Sequence, residues 1–146
     1  MTEYRVYVVE LDFEAIREDE PALKKLAKKN RRVRQREGTF YVGYSAHSAD
    51  CRFRQHKWDK ETDPDFVCDC GTAPPVGHRK DLSCDLVKQF GIGLRLEFYD
   101  GLIPAYSPAD ATQLEGIVAK HLQKQNFAVY SDAIPNIKRK ASKKAR

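Results

Sequence analysis

Arg52 and His56 stand four residues apart, shortly after the strand-like run Phe40-Tyr41-Val42-Gly43. On a helix that spacing puts a permanent cation and a titratable imidazole on one face. Tyr7 lies in an earlier β-branched run, Val6-Tyr7-Val8-Val9, and Glu115 falls among apolar residues further on. At 100° per residue Glu115 lies about 40° from Ala111 and about 20° from Leu122, inside or at the edge of the stripe that Leu114, Ile117 and Val118 complete. A carboxylate held there is costly to desolvate. Arg52, a lysine or a metal ion would neutralise it; alternatively, it snorkels from the stripe's margin. A fixed cation, an imidazole, phenols and a carboxylate are the groups that charge neutralisation, proton transfer and metal ligation require.

The elements that must position these groups are legible in outline. Tyr4 to Leu11 is a mostly apolar, β-branched run, as expected of a strand buried on both faces. Thr39 to Tyr44 is a second strand, in which Tyr41 and Gly43 share one face while Phe40, Val42 and Tyr44 share the other. Gly43 leaves room beside Tyr41 for a backbone or a ligand. Leu94, Leu96 and Phe98, alternating with Arg95, Glu97 and Tyr99 and closed by Asp100-Gly101, predict a third strand. Residues 46–58 lack Gly and Pro, and Ser45 or Ser48 can cap a helix there. A later helix starts with Ser107 as N-cap, Pro108 in the first turn and Asp110 completing the capping pattern. The expected class is therefore α+β, a small three-stranded antiparallel sheet flanked by helices.

Tyrosines in the first two strands, an Arg-x-x-x-His helix and a glutamate on a later helix resemble the GIY-YIG nuclease family, over roughly residues 4 to 130. Arg5-Val6-Tyr7 stands where the family name has Gly-Ile-Tyr, and Tyr41-Val42-Gly43 where it has Tyr-Ile-Gly; the tyrosines are kept. The resemblance implies a metal-dependent endonuclease that hydrolyses phosphodiester bonds, with DNA the expected substrate. It assigns Glu115 to one Mg²⁺ or Mn²⁺, Arg52 to the phosphate, Tyr7 to the role of general base, His56 to relaying or accepting its proton, and Tyr41 to orienting water or phosphate. The two tyrosines can exchange these roles. Gly43 and Asn126 are the implied substrate-binding positions. One active site nicks one strand, so double-strand cutting implies a homodimer or two encounters, and target choice can rest on a partner protein. A non-catalytic nucleic-acid-binding module on the same scaffold is the alternative.

Charge agrees with a polyanionic partner. The 146 residues carry 26 Lys and Arg against 21 Asp and Glu, a net charge of +5, which favours nucleic acid. Eight basic residues and no acidic one lie between Lys24 and Arg36. Pro21 suits the first turn of a basic helix there, within an insertion spanning about residues 14–37 that lengthens the connection between the first two strands. Lys138, Arg139, Lys140, Lys143, Lys144 and Arg146 form a second cluster, expected to be a disordered tail over residues 135–146. Residues 1–134 read as one domain. Glu3, Arg5 and Glu10 interrupt the N-terminal apolar run, so a cytoplasmic protein with reduced cysteines is expected. Cys68, Cys70, His78 and Cys84 offer zinc ligands, but a single residue between the first two departs from the usual spacing. An irregular loop over about residues 62–90 is the favoured expectation.

Overall fold

The computed structural model describes residues 2–58 and 84–138. Strand β1 (Arg5–Leu11) pairs antiparallel with β2 (Thr39–Ser45), which sets Tyr7 opposite Gly43. On the other side of β1 lies β3 (Gly91–Leu94), also antiparallel, with a register shift between Glu10 and Leu11. Strand β4 (Ala128–Tyr130) runs parallel to β2, and the order across the sheet is β3-β1-β2-β4. The α+β class is as expected, but the sheet is four-stranded and mixed rather than three-stranded and antiparallel. Three residues are too few for β4 to announce itself by alternation.

Alternation along β1 and β2 divides the apolar side chains between two layers. Tyr7, Val9, Leu11 and Tyr41 face α1 (Phe13–Arg17), α2 (Glu20–Ala27), α3 (Ala49–Lys57) and α4 (Asp85–Phe90), which contribute Ile16, Leu26, Phe53, Leu86 and Val87. Val6, Val8, Phe40, Val42 and Val129 face α5 (Pro108–Lys124) through Val118, Ala119 and Leu122. Four helices begin on side chains that satisfy orphan backbone donors: Asp12, Asp19, Ser48 and Ser107 accept from Ala15, Ala22, Cys51 and Asp110 respectively. Of the two serines able to cap α3, Ser48 does so. Among the described residues no helix is long and apolar enough to cross a membrane.

Three segments differ from the sequence reading. The strand expected over Leu94 to Tyr99 stops at Leu94, and Leu96–Phe98 forms a 3-10 turn. The turn lays the half-buried Phe98 edge-on against Phe40 at 5.0 Å and beside Phe127 at 5.8 Å. The basic helix ends at Ala27, and Lys28 to Arg36 continues as turns with Arg32 in the left-handed region at φ 51° and a 3-10 turn at Val33–Gln35. Asn30 explains the break: its buried amide donates to the carbonyls of Leu26 and Val129 and accepts from the Val129 N–H and Gln123 Nε2. Val129 thus turns its outward peptide groups to a side chain where a fifth strand would have bonded. Finally, the last residues of the expected irregular loop form α4, and the Ile137 N–H, in the expected tail, donates to the Lys28 carbonyl at 2.7 Å; the rest of that loop up to residue 83 and the tail's residues 139–146 lie outside the described residues.

Candidate active site

The sheet brings Tyr7 and Tyr41 together through the register of their strands. A Cβ on Gly43 would lie 2.9 Å from the Tyr7 hydroxyl and 2.9 Å from that of Tyr41, so the glycine vacates the space in which the two phenols meet. Helix α3 presents Arg52 and His56 to them from one buried face, as their spacing predicts. The Tyr7 hydroxyl lies 2.8 Å from His56 Nε2, and the His56 ring packs edge-on to Tyr41 at 5.6 Å. Gln55 holds Arg52 by accepting from its Nη1 at 2.7 Å, while its own amide donates to Cys51 Sγ at 3.3 Å.

The tautomer of His56 follows from its second partner. The peptide N–H of Cys84 donates to Nδ1 at 3.1 Å, and a peptide N–H can only donate. Burial, reinforced by the Arg52 charge, lowers the His56 pKa to about 3, so the ring is neutral. Its single hydrogen is therefore on Nε2 and is given to the Tyr7 oxygen. In this geometry His56 donates to the Tyr7 oxygen and has no free lone pair for the phenol's proton, unlike the relay that the resemblance implies. Burial pushes the Tyr7 phenol up, while the Arg52 charge and hydrogen bonds from Arg52 and Tyr41 pull it down. Tyr41 is likewise raised by burial, then by the Tyr7 charge. Both phenols hold their protons at rest.

Glu115 approaches from a different layer. It lies on α5, buried, and accepts from the Ser131 hydroxyl immediately beyond β4. Burial raises its carboxyl to about pKa 7, against which the hydrogen bonds of Ser131 and the Ala133 N–H and the charge of Lys29 act. The Asp132 charge also raises it, ahead of the opposing Lys29 charge, whereas Arg52 acts on Tyr7. The Glu115 charge raises both tyrosines. Tyr130 stacks on Tyr41 at 6.4 Å with the rings 16° apart, and Lys29 Nζ stands 5.2 Å from the Tyr130 ring. No protein-family model, curated protein or solved structure matches this chain.

Tyr7, Tyr41, Arg52 and His56 therefore gather, with Gly43 beside both phenols, while the contacts of Glu115 are to Ser131 and the Ala133 N–H. Asn126 does not join them: it follows the C-terminal end of α5 in the left-handed region at φ 74°, exposed, its amide toward Glu37. That is the ordinary place of asparagine just past a helix. Ser131, Lys29 and Gln55 were not singled out from the sequence. Gln55 could have been, at three residues from Arg52 on the same helix; Ser131 and Lys29 reach Glu115 only through the fold.

The donor set suits a hard cation. A divalent ion such as Mg²⁺ takes one or two carboxylates, keeps several waters and binds substrate phosphate; Glu115, with the Ser131 hydroxyl beside it and its pKa raised mainly by burial, would offer one such carboxylate. Among the described residues no group of three His, Cys, Asp or Glu could close a cage around a metal. Cys68, Cys70 and His78 lie outside the described residues. Cys84 lies within them; its thiol is pushed up by burial and its N–H is engaged by His56.

Proposed function

We propose that this chain is a divalent-metal-dependent endonuclease acting on nucleic acid, with DNA as its substrate, in the manner of the GIY-YIG family it resembles. The observation that carries the reading is the convergence of Tyr7, Tyr41, Arg52 and His56 from two strands and one helix upon a point near a buried glutamate. Hydrolysis joins a water oxygen to phosphorus while the ester P–O bond breaks, and it needs a proton acceptor and positive charge at the phosphoryl oxygens. Arg52 supplies a guanidinium with several donors for the phosphoryl oxygens. The Tyr7 phenol, protonated at rest, would first release its proton to solvent, the His56 Nε2–H and Arg52 stabilising the phenolate. The phenolate then takes the proton of the attacking water and becomes neutral, and the leaving alkoxide takes a proton from solvent. Glu115 and Ser131 would hold one Mg²⁺ or Mn²⁺, whose charge lowers the pKa of water and phenol and offsets that of the phosphate.

The test is nicking of supercoiled plasmid by wild type and Glu115→Ala, each with Mg²⁺, Mn²⁺ or EDTA at low salt. Metal-dependent nicking in wild type alone is expected, with DNA binding largely kept in the variant. Equal nicking by both proteins would sink the assignment. Salt-sensitive binding with no metal-dependent cutting of supercoiled, branched or single-stranded DNA, or of RNA, would replace it with the non-catalytic binding module.

A further inference from the structure

Beside the candidate active site, the end of α2, the C-terminal half of α5 and residues 134–138 enclose an open groove of about 460 Å³. Its lining includes Lys29, Arg31, Lys120, Lys124 and Lys138, and no acidic residue. None of these five makes an ion pair with a carboxylate among the described residues. Gathering five like charges opposes folding through self-repulsion, so something neutral must hold the walls. The Lys29 ammonium donates to the Ile134 carbonyl at 2.7 Å, Gln123 Nε2 donates to the Lys29 carbonyl at 2.9 Å, and Arg36 Nη1 donates to the Gln123 carbonyl at 3.0 Å. The walls are therefore tied by hydrogen bonds to backbone carbonyls, leaving the groove's cationic character uncancelled.

We infer that this groove holds the sugar-phosphate backbone of a nucleic-acid strand, leading it past Lys29 toward the Tyr41 side of the candidate site. Lys29 fixes the continuity, since it lines the groove and its Nζ stands 5.2 Å from the ring of Tyr130, which stacks on Tyr41. The groove contains no aromatic ring and no carboxylate, and its charged lining is wholly cationic, so it lacks base-stacking platforms and its main contacts are to phosphate. Binding there is insensitive to sequence and steeply dependent on salt. The direction of the strand rests on the endonuclease reading; the groove's affinity does not, and it is measured without cleavage.

The experiment follows the anisotropy of a labelled DNA duplex in EDTA, from low to moderate NaCl, with wild type and Lys120→Gln/Lys124→Gln. Both lysines are exposed on α5, so the variant retains the fold, checked by its thermal midpoint. An Arg17→Gln/Arg95→Gln protein, losing two cations already paired with Glu14 and with Glu10 and Glu97, is the control. Each duplex phosphate contact adds about 0.9 to the slope of log affinity against log salt, so the groove variant should lose about 1.8 from it and at least about tenfold in affinity. The control should lose neither. An unchanged slope in the groove variant, an equal loss in the control, absence of binding by wild type, or tighter binding of polyglutamate than of DNA would each overturn the inference. If the slope falls yet Glu115→Ala still cuts, the groove stands and the catalytic assignment fails; an unchanged slope with Glu115-dependent cutting gives the reverse.

Discussion

Replacing Asn30 by leucine keeps the branched shape and the number of side-chain heavy atoms but removes the amide that closes the outer edge of the sheet. Four hydrogen bonds meet the buried Asn30 amide, but they are not equally exposed to its loss. The Leu26 carbonyl still accepts from the Lys29 N–H, and Gln123 Nε2 still donates to the Lys29 carbonyl. The Val129 N–H and C=O, at a fully buried residue, are left with no partner among the described residues. Each buried orphan costs about 1–3 kcal/mol, so Asn30→Leu should destabilise the chain by about 2–6 kcal/mol. That is a large part of the roughly 5–15 kcal/mol by which a domain is stable. Asn30→Ala should cost less, because the smaller side chain leaves room for a water to bond both peptide groups. Urea unfolding of the three proteins at neutral pH measures this through the shift in midpoint at constant slope. A loss below about 1 kcal/mol for Asn30→Leu, or a larger loss for alanine than for leucine, would refute the account of this edge.

Other expectations concern the candidate site. Gly43→Ala places a methyl 2.8 Å from Tyr41 Cε2 and 2.9 Å from both hydroxyls; it should cost about 1–3 kcal/mol in thermal unfolding and about 100-fold in nicking rate through misplaced phenols, and a variant as active as wild type would show that the phenols need not meet there. Folded Glu115 keeps its proton to about pH 7 whereas the unfolded chain releases it near the model-peptide value of 4.5, so the folded state binds the extra proton in that window and stability should fall as pH rises from 4.5 to 7, then level off. Glu115→Gln should flatten that fall in urea titrations without metal; an unaltered pH profile would deny the shift. Metal competes with this proton, so the acid limb of nicking should sit at or below pH 7 and move lower as Mg²⁺ is raised, whereas a limb fixed against Mg²⁺ would point away from Glu115. Tyr7→Phe should abolish nicking while leaving DNA affinity within a few-fold, read by anisotropy in EDTA; a Tyr7→Phe protein that cuts normally would transfer the base role to Tyr41.

Much of the site was legible because its residues lie on long or well-punctuated elements. Alternation in the first two strands gave the shared face of Tyr41 and Gly43, the four-residue spacing gave the pairing of Arg52 with His56, and Ser107-Pro108 located the helix whose stripe includes Glu115. What was not legible depends on distant partners. Leu94 to Tyr99 alternates like a strand, yet the Phe40 and Phe127 rings that draw Phe98 into a turn are far away in sequence. Asn30 looks like one polar residue in a basic run, and nothing local announces that β4 needs it. The direction of the His56 hydrogen bond was hidden for the same reason, since the deciding donor is a backbone N–H at Cys84. Asn126, implied for substrate by the resemblance alone, follows the end of its helix with its amide toward Glu37, a position that its spacing from Glu115 does not reveal.

The two halves of the site are also separated in the order in which the chain can acquire them. Tyr7, Tyr41 and His56 come together through an antiparallel pair and the helix that follows it, whereas Glu115 and Ser131 join only when Ala128 finds Thr39 in a parallel pairing across most of the chain. Closing so long a loop delays that contact relative to local ones. A nascent or partly unfolded molecule would therefore present the phenols and the arginine without the carboxylate. On the endonuclease reading such a molecule can hold a strand but cannot cut it, and the hydrolytic hazard to the cell appears only with the finished fold.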